Sequence, residues 1–161
     1  MLGCGLRRAE VCDLKVKQVS LKNKTAKIIG KGNKERTIYF PAPVLDVLKT
    51  WLELRQLNKD ELDAGFVFGR IDNKQCLHLD IPLDPSSVTR IIEKLVVETE
   101  NLEGRLTPHD LRRTFATRLI SKNVDIVEVQ KLMGHASVAT TGNYVRKDEE
   151  NLRKAAEKAE L

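Results

Sequence analysis

Tyr144, one of two tyrosines in 161 residues, follows the Gly134-His135 pair by nine positions. Upstream stand a His109-x-x-Arg112 step and a Gly5-Leu6-Arg7 turn. A phenol, two imidazoles and two guanidiniums make a set suited to attack on a phosphodiester. A phenol with an ordinary pKa of about 10 is a poor nucleophile at neutral pH unless a base takes its proton or the transition-state charge is neutralised. The planar fork of Arg7 matches two phosphate oxygens, and Glu10, three positions on, is placed to orient it. Three-residue spacing puts His109 and Arg112 on one helix face, near a helix start where dipole and N–H groups favour an anion. Lys31, in the turn Gly30-Lys31-Gly32-Asn33-Lys34-Glu35, can present an ammonium to a phosphate or a leaving oxygen, and Lys34 competes for that role. Each residue also has an ordinary reading: a solvated helix face for His109, a capping residue for His135, an amphipathic packing residue for Tyr144, a solvated edge turn for Lys31.

Other chemistries find no support in the spacing. Cys4, Cys12 and Cys76 form no C-x-x-C pair, the histidines lack paired ligand spacings, and no carboxylate cluster resembles a two-metal nuclease site. A Gly-x-Ser-x-Gly elbow is also missing. The expectation is an enzyme that works without a metal.

Lys and Arg number 28 against 23 Asp and Glu, a net charge of +5, which favours a polyanionic partner. Aromatic residues are only 4%, too few for the stacking platforms that hold single strands, so backbone contacts to a duplex are the better use of the charge. No apolar run approaches the roughly 20 residues needed to span a bilayer. An odd number of cysteines and the lack of a signal-peptide pattern point to a reducing cytoplasm and no membrane partner.

The elements that must position these groups read as mainly helical with a small antiparallel sheet, an α+β class, in one domain over residues 1–161. Arg8 to Leu14 is a short helix with Leu6, Val11 and Leu14 on one side. Val19 to Leu21, Thr25 to Ile29 and Arg36 to Phe40 are strands, the last two forming a hairpin with a basic tip. Pro41 and Pro43 open a helix through Leu54, with Trp51 in the core. Asn58 to Asp84 reads as loop, with Phe66, Val67 and Phe68 as a small strand or buried turn. Pro85 to Glu98 is a helix with Val88, Ile91, Ile92, Leu95 and Val96 on one face, and Glu98 to Arg105 a polar connector. Thr107 caps and Pro108 starts a helix through Ile120. Asp125 to Glu128 opens another that ends at Gly134, followed by helices from Ser137 through Tyr144 and from Asp148 to Leu161.

Taken together, Gly5-Leu6-Arg7-Arg8-Ala9-Glu10, Gly30-Lys31-Gly32-Asn33-Lys34-Glu35-Arg36, Pro108-His109-Asp110-Leu111-Arg112, Leu132-Met133-Gly134-His135 and Thr140-Thr141-Gly142-Asn143-Tyr144 closely resemble the catalytic domain of the tyrosine recombinases, the phage-integrase family. The motifs stand in family order across nearly the whole chain. The resemblance implies the DNA breaking-rejoining enzyme fold and site-specific recombination or integration through a 3′-phosphotyrosyl intermediate, with neither metal nor ATP. It makes Tyr144 the nucleophile, Arg7 and Arg112 the phosphate clamp, His135 a further donor to the nonbridging oxygens, and Lys31 the general acid. His109 would assist proton transfer at the tyrosine, and Glu10 would support the arginines. Lys31, Lys34, Arg36 and Arg113 are expected to contact double-stranded DNA. The family further implies a homo-oligomer, a tetrameric synapse on DNA, joined through the C-terminal helix, where Leu152, Ala155, Ala156 and Ala159 form a thin apolar stripe. Family members usually carry an additional N-terminal DNA-binding domain, so with Arg7 nearly terminal the expectation is a catalytic domain shortened at its N-terminus. Two other functions share parts of this pattern: a noncatalytic DNA-binding remnant, and type IB topoisomerase-like strand relaxation.

Overall fold

Period-two burial builds the first sheet. Ala26 and Ile28 point inward from β2 (Thr25–Ile29), as do Ile38 and, just past its end, Phe40 from β3 (Glu35–Tyr39), while Lys27, Thr37 and Tyr39 face solvent. With β1 (Val19–Ser20) they form an antiparallel sheet in the order β1-β2-β3, Ala26 pairing with Ile38 and Ile29 with Glu35. The computed structural model describes residues 1–30, 32–56, 65–99 and 105–134. It forms two compact units, Met1–Phe115 and Ala116–Leu161.

In the first unit, helix α1 (Arg8–Cys12) ends in the Asp13 cap, and Leu6 and Leu14 on either side of it enter the core. Helix α2 (Ala42–Gln56) contributes Leu45, Leu48 and Leu52, spaced three and four residues apart, to the same cluster as Ile28, Ile38 and Phe40. Trp51 is half-buried and works as a tether as well as packing: its indole N–H donates to the Val67 carbonyl at 2.8 Å, and its ring stacks on Phe68. Arg55 donates to the Phe66 and Val67 carbonyls, and the Val67 N–H donates to the Leu14 carbonyl at 2.7 Å. Val67, fully buried, therefore ties α2 to the chain just past the end of α1.

Residues 58–64 of the loop expected from Asn58 to Asp84 lie outside the described residues, and the rest is corrected by a second hairpin, β4 (Gly69–Ile71) paired antiparallel with β5 (Leu77–Pro82). Its turn closes because the Asp72 carboxylate accepts the Lys74 and Cys76 backbone N–H groups at 2.8 and 2.9 Å, an Asx-type closure that substitutes for a glycine turn. Leu79 is the buried residue of β5. Phe66 pairs with Lys15 in an isolated bridge, so the short apolar piece is a buried crossing point.

Helix α3 spans Pro85–Glu98 as expected, with the Asp84 side chain accepting the Ser86 N–H at 2.7 Å and proline in the first turn. Val88 and Ile92 pack with Cys12 of α1, whereas Ile91 and Leu95 stay exposed, so the apolar face of α3 is wider than what covers it. Helix α4 (Pro108–Ser121) starts on a reciprocal cap: Asp110 accepts from the Thr107 backbone N–H and hydroxyl. In the second unit, helix α5 (Ile126–Met133) is capped by Asp125 and stopped by Gly134 in the left-handed conformation, φ 62°. Ala116, Val129 and Met133 are fully buried there. No helix of the described residues is long and apolar enough to cross a membrane. The helices expected for Ser137–Tyr144 and Asp148–Leu161, and most of the polar connector before Arg105, lie outside the described residues.

Candidate active site

One carboxylate gathers three arginines. Arg7 is the residue before α1, and Glu10, in the first turn of that helix, accepts the Arg7 backbone N–H at 2.7 Å, the cap that satisfies an otherwise orphaned donor. The Arg7 guanidinium also donates to Glu10 Oε1 at 2.6 Å. From β3, Arg36 grips both oxygens, Nη1 to Oε1 at 2.7 Å and Nη2 to Oε2 at 2.8 Å. From α4, Arg112 brings its Nη1 to 3.8 Å from Oε2. All of these residues belong to the first unit.

Arg112 is 3% exposed and donates to the Gly5 carbonyl. That carbonyl is aimed by the left-handed conformation of Gly5, φ 63°, which a residue with a side chain adopts only at a cost, and by the turn in which the Gly5 N–H donates to the Met1 carbonyl at 2.8 Å. The glycine ahead of Leu6 and Arg7 thus has a mechanical reason: it lets the backbone bend under Arg112.

Burial pushes the Glu10 pKa up, yet the Arg36 hydrogen bonds, the Arg7 backbone N–H, the Arg36 charge and the Arg7 side chain outweigh it and hold the carboxyl at about 2. Glu10 is ionised at any physiological pH. Three guanidiniums, which do not lose their protons in proteins, face the one Glu10 carboxylate. Arg7, about a third exposed, stands at its accessible edge, while Arg112 backs it from inside. Such a cluster is built to neutralise an anion in a setting where charge is poorly screened.

The expected residues separate into four groups. Arg7, Glu10 and Arg112 are brought together. Arg36, expected as a DNA contact, is turned inward on Glu10 with its side chain 12% exposed. His109, Lys34 and Arg113 are exposed, with His109 one turn before Arg112 on α4. Asp110, next to His109, has its pKa lowered by the Thr107 hydroxyl first and then by the Thr107 N–H, in keeping with its role as a cap. Lys31, His135 and Tyr144 lie outside the described residues. Sequence reasoning missed the Gly5 carbonyl as the Arg112 acceptor and Arg36 as the second fork on Glu10. The only signal for the latter in the sequence was a glutamate with one arginine in reach three residues away and two oxygens to satisfy. Among the described residues no three His, Cys, Asp or Glu side chains converge as metal ligands would.

Comparison with known proteins covers nearly the whole chain. The family model described as the phage integrase family matches residues 1–151. The tyrosine recombinase XerA of Pyrococcus furiosus is 36% identical over 163 residues, covering 100% of this chain and 52% of that protein. XerC of Alcanivorax borkumensis is 33% identical over 152 residues, covering 94% of this chain and 47% of its own. Among solved structures, a XerA recombinase superposes with a TM-score of 0.77 at 30% identity, covering 99% of this chain and 56% of the other. The XerH recombinase bound to a palindromic difH substrate, in a post-cleavage complex, superposes with a TM-score of 0.73 at 31% identity, covering 96% and 42%. The chain spans about half the length of the curated relatives it matches.

Proposed function

Since the chain belongs to the phage integrase family, we propose that residues 1–161 act as the catalytic domain of a site-specific recombinase that cuts and rejoins double-stranded DNA through Tyr144. The observation that carries this reading is the arrangement of Arg7 and Arg112 on the single Glu10 carboxylate, a preorganised positive site of the kind a pentacoordinate phosphorane requires.

In the first step the Tyr144 oxygen attacks phosphorus, giving up its proton with help from His109, and the bond to the 5′ oxygen breaks. Lys31 donates a proton to that oxygen, which is otherwise a poor alkoxide leaving group. The products are a 3′-phosphotyrosyl link and a free 5′-hydroxyl. Arg7, Arg112 and His135 carry the charge on the nonbridging oxygens. Because the phosphoester energy is kept in the tyrosyl link, a 5′-hydroxyl from a partner strand reverses the step without metal or ATP. Lys34 and Arg113 contact the DNA backbone, where they contribute salt-dependent affinity without base readout. Strand exchange needs more than one active site, so the protein works as an oligomer on DNA, a tetrameric synapse held through the C-terminal segment. A reducing cytoplasm suits its three cysteines, which form no C-x-x-C pair.

Incubating the protein with a nicked duplex in EDTA tests this reading. A covalent protein–DNA species that forms with the chain and disappears in Tyr144→Phe is the expected result. An adduct that survives that substitution, or that needs a divalent metal, overturns the mechanism; DNA binding without any adduct points to a noncatalytic DNA-binding role.

A further inference from the structure

Building on the function proposed above, we infer that Arg36 is a positioning residue for the phosphate clamp, holding the Glu10 carboxylate so that Glu10 in turn presents Arg7 at a fixed angle. The bond pattern carries this. Each oxygen of Glu10 takes one bond from each arginine: Oε1 from Arg7 Nη1 and Arg36 Nη1, Oε2 from the Arg7 backbone N–H and Arg36 Nη2. Arg36 reaches Glu10 across 26 residues of sequence, so it anchors the first turn of α1 to the sheet. A bidentate fork fixes the plane of a carboxylate as well as its position, which a single donor does not.

Two further features show that this side chain is spent on Glu10. Its Nε is buried with no hydrogen-bond partner among the described residues, a cost that the two terminal nitrogens offset. Gly30 lies against the pair: a Cβ there would be 3.2 Å from Arg36 Nη1 and 3.6 Å from Glu10 Oε1. The hairpin backbone, one residue before Lys31, therefore closes directly over the fork. Without Arg36 the carboxylate keeps only the Arg7 bonds and is free to swing toward Arg112, whose Nη1 already stands 3.8 Å from Oε2. Arg7 turns with it.

The test measures the cleavage rate and the affinity for one nicked duplex in the wild type, Arg36→Met, Arg36→Lys, Glu10→Gln and the Arg36→Met/Glu10→Gln double variant. Displacing a transition-state donor by about 1 Å costs on the order of 100-fold in rate, so Arg36→Met is expected to slow cleavage by about 100-fold with much smaller change in DNA affinity. Because Arg36 acts through Glu10, the double variant should cleave no more slowly than Glu10→Gln alone. Arg36→Lys keeps the charge and loses the fork, and should recover only part of the rate. Losses that multiply in the double variant, affinity that falls in step with rate, or full activity in Arg36→Lys would each overturn the inference.

A DNA-free measurement keeps the two proposals apart. Followed by carbon NMR of its carboxyl, Glu10 should titrate at distinctly higher pH in Arg36→Met, with Arg7 and Arg112 still facing it and Asp13, Lys15 and Lys17 lining the cavity alongside. An unchanged midpoint sinks the positioning role. If the wild type forms no covalent adduct with DNA, the functional reading fails by itself, and this titration still decides whether Arg36 sets Glu10.

Discussion

Glu10→Gln is the substitution whose effect on folding follows most directly from the geometry. In the folded chain the carboxyl is held at about 2 against an ordinary 4.5, so the unfolded chain takes up this proton first as the solution is acidified. Stability from Glu10 is therefore complete above about pH 4.5 and is lost progressively as pH falls toward 2. At about 1.4 kcal/mol per pH unit, that difference is worth about 3 kcal/mol. The side chain is only 5% exposed, so solvent screening removes little of it. The assay is urea unfolding of wild type and Glu10→Gln, followed by the fluorescence of Trp51, the single tryptophan, which lies in the same unit as the cluster. At pH 7 the variant should be less stable by about 3 kcal/mol, and the gap should shrink steadily between pH 4.5 and pH 2.5. A gap that stays constant across that range would show that Glu10 contributes by packing or neutral hydrogen bonds rather than as a charge among arginines, and the electrostatic account of the cluster would fall.

Other substitutions test separate parts of the structure. Gly5→Ala places a side chain at φ 63° and should cost about 1 kcal/mol, together with a slower cleavage rate because the carbonyl that seats Arg112 is moved; unchanged stability in urea would mean that the turn does not need glycine. Gly69→Ala puts a Cβ 2.2 Å from the His78 carbonyl oxygen, a backbone atom that yields only if the hairpin shifts, and should destabilise the chain by about 1–3 kcal/mol in a thermal melt. A melt within a degree of wild type would mean that the β4–β5 hairpin tolerates a wider spacing there.

Elements with local punctuation were legible from sequence. The Asp84-Pro85 and Thr107-Pro108 starts and the Gly134 stop announced α3, α4 and the end of α5, because a cap, a missing N–H and a left-handed residue act within one turn of the chain. The β4–β5 hairpin was not legible: its turn carries no glycine and is closed by an aspartate side chain, and Pro82 at the end of β5 argued against a strand. In the site, the link from Glu10 to Arg7 spans three residues and could be read on one helical turn. The Arg112 bond to Gly5 spans 107 residues and the Arg36 fork 26. Nothing in local spacing distinguishes an arginine that folds inward onto a glutamate from one that reaches out to a phosphate. Burial decides, and burial is a property of the packed chain.

The central claim is that Tyr144 becomes joined to a 3′-phosphate. The direct measurement is peptide mapping of the trapped protein–DNA adduct after nuclease and trypsin treatment. Trypsin releases residues 132–146 as one fragment containing Tyr144, whereas Tyr39 falls in a different fragment. Nucleotide mass is expected on the 132–146 fragment, fragmenting at Tyr144 and carrying the 3′ end of the cleaved strand. Nucleotide on Tyr39, on a serine or threonine, or linked through a 5′-phosphate would contradict it.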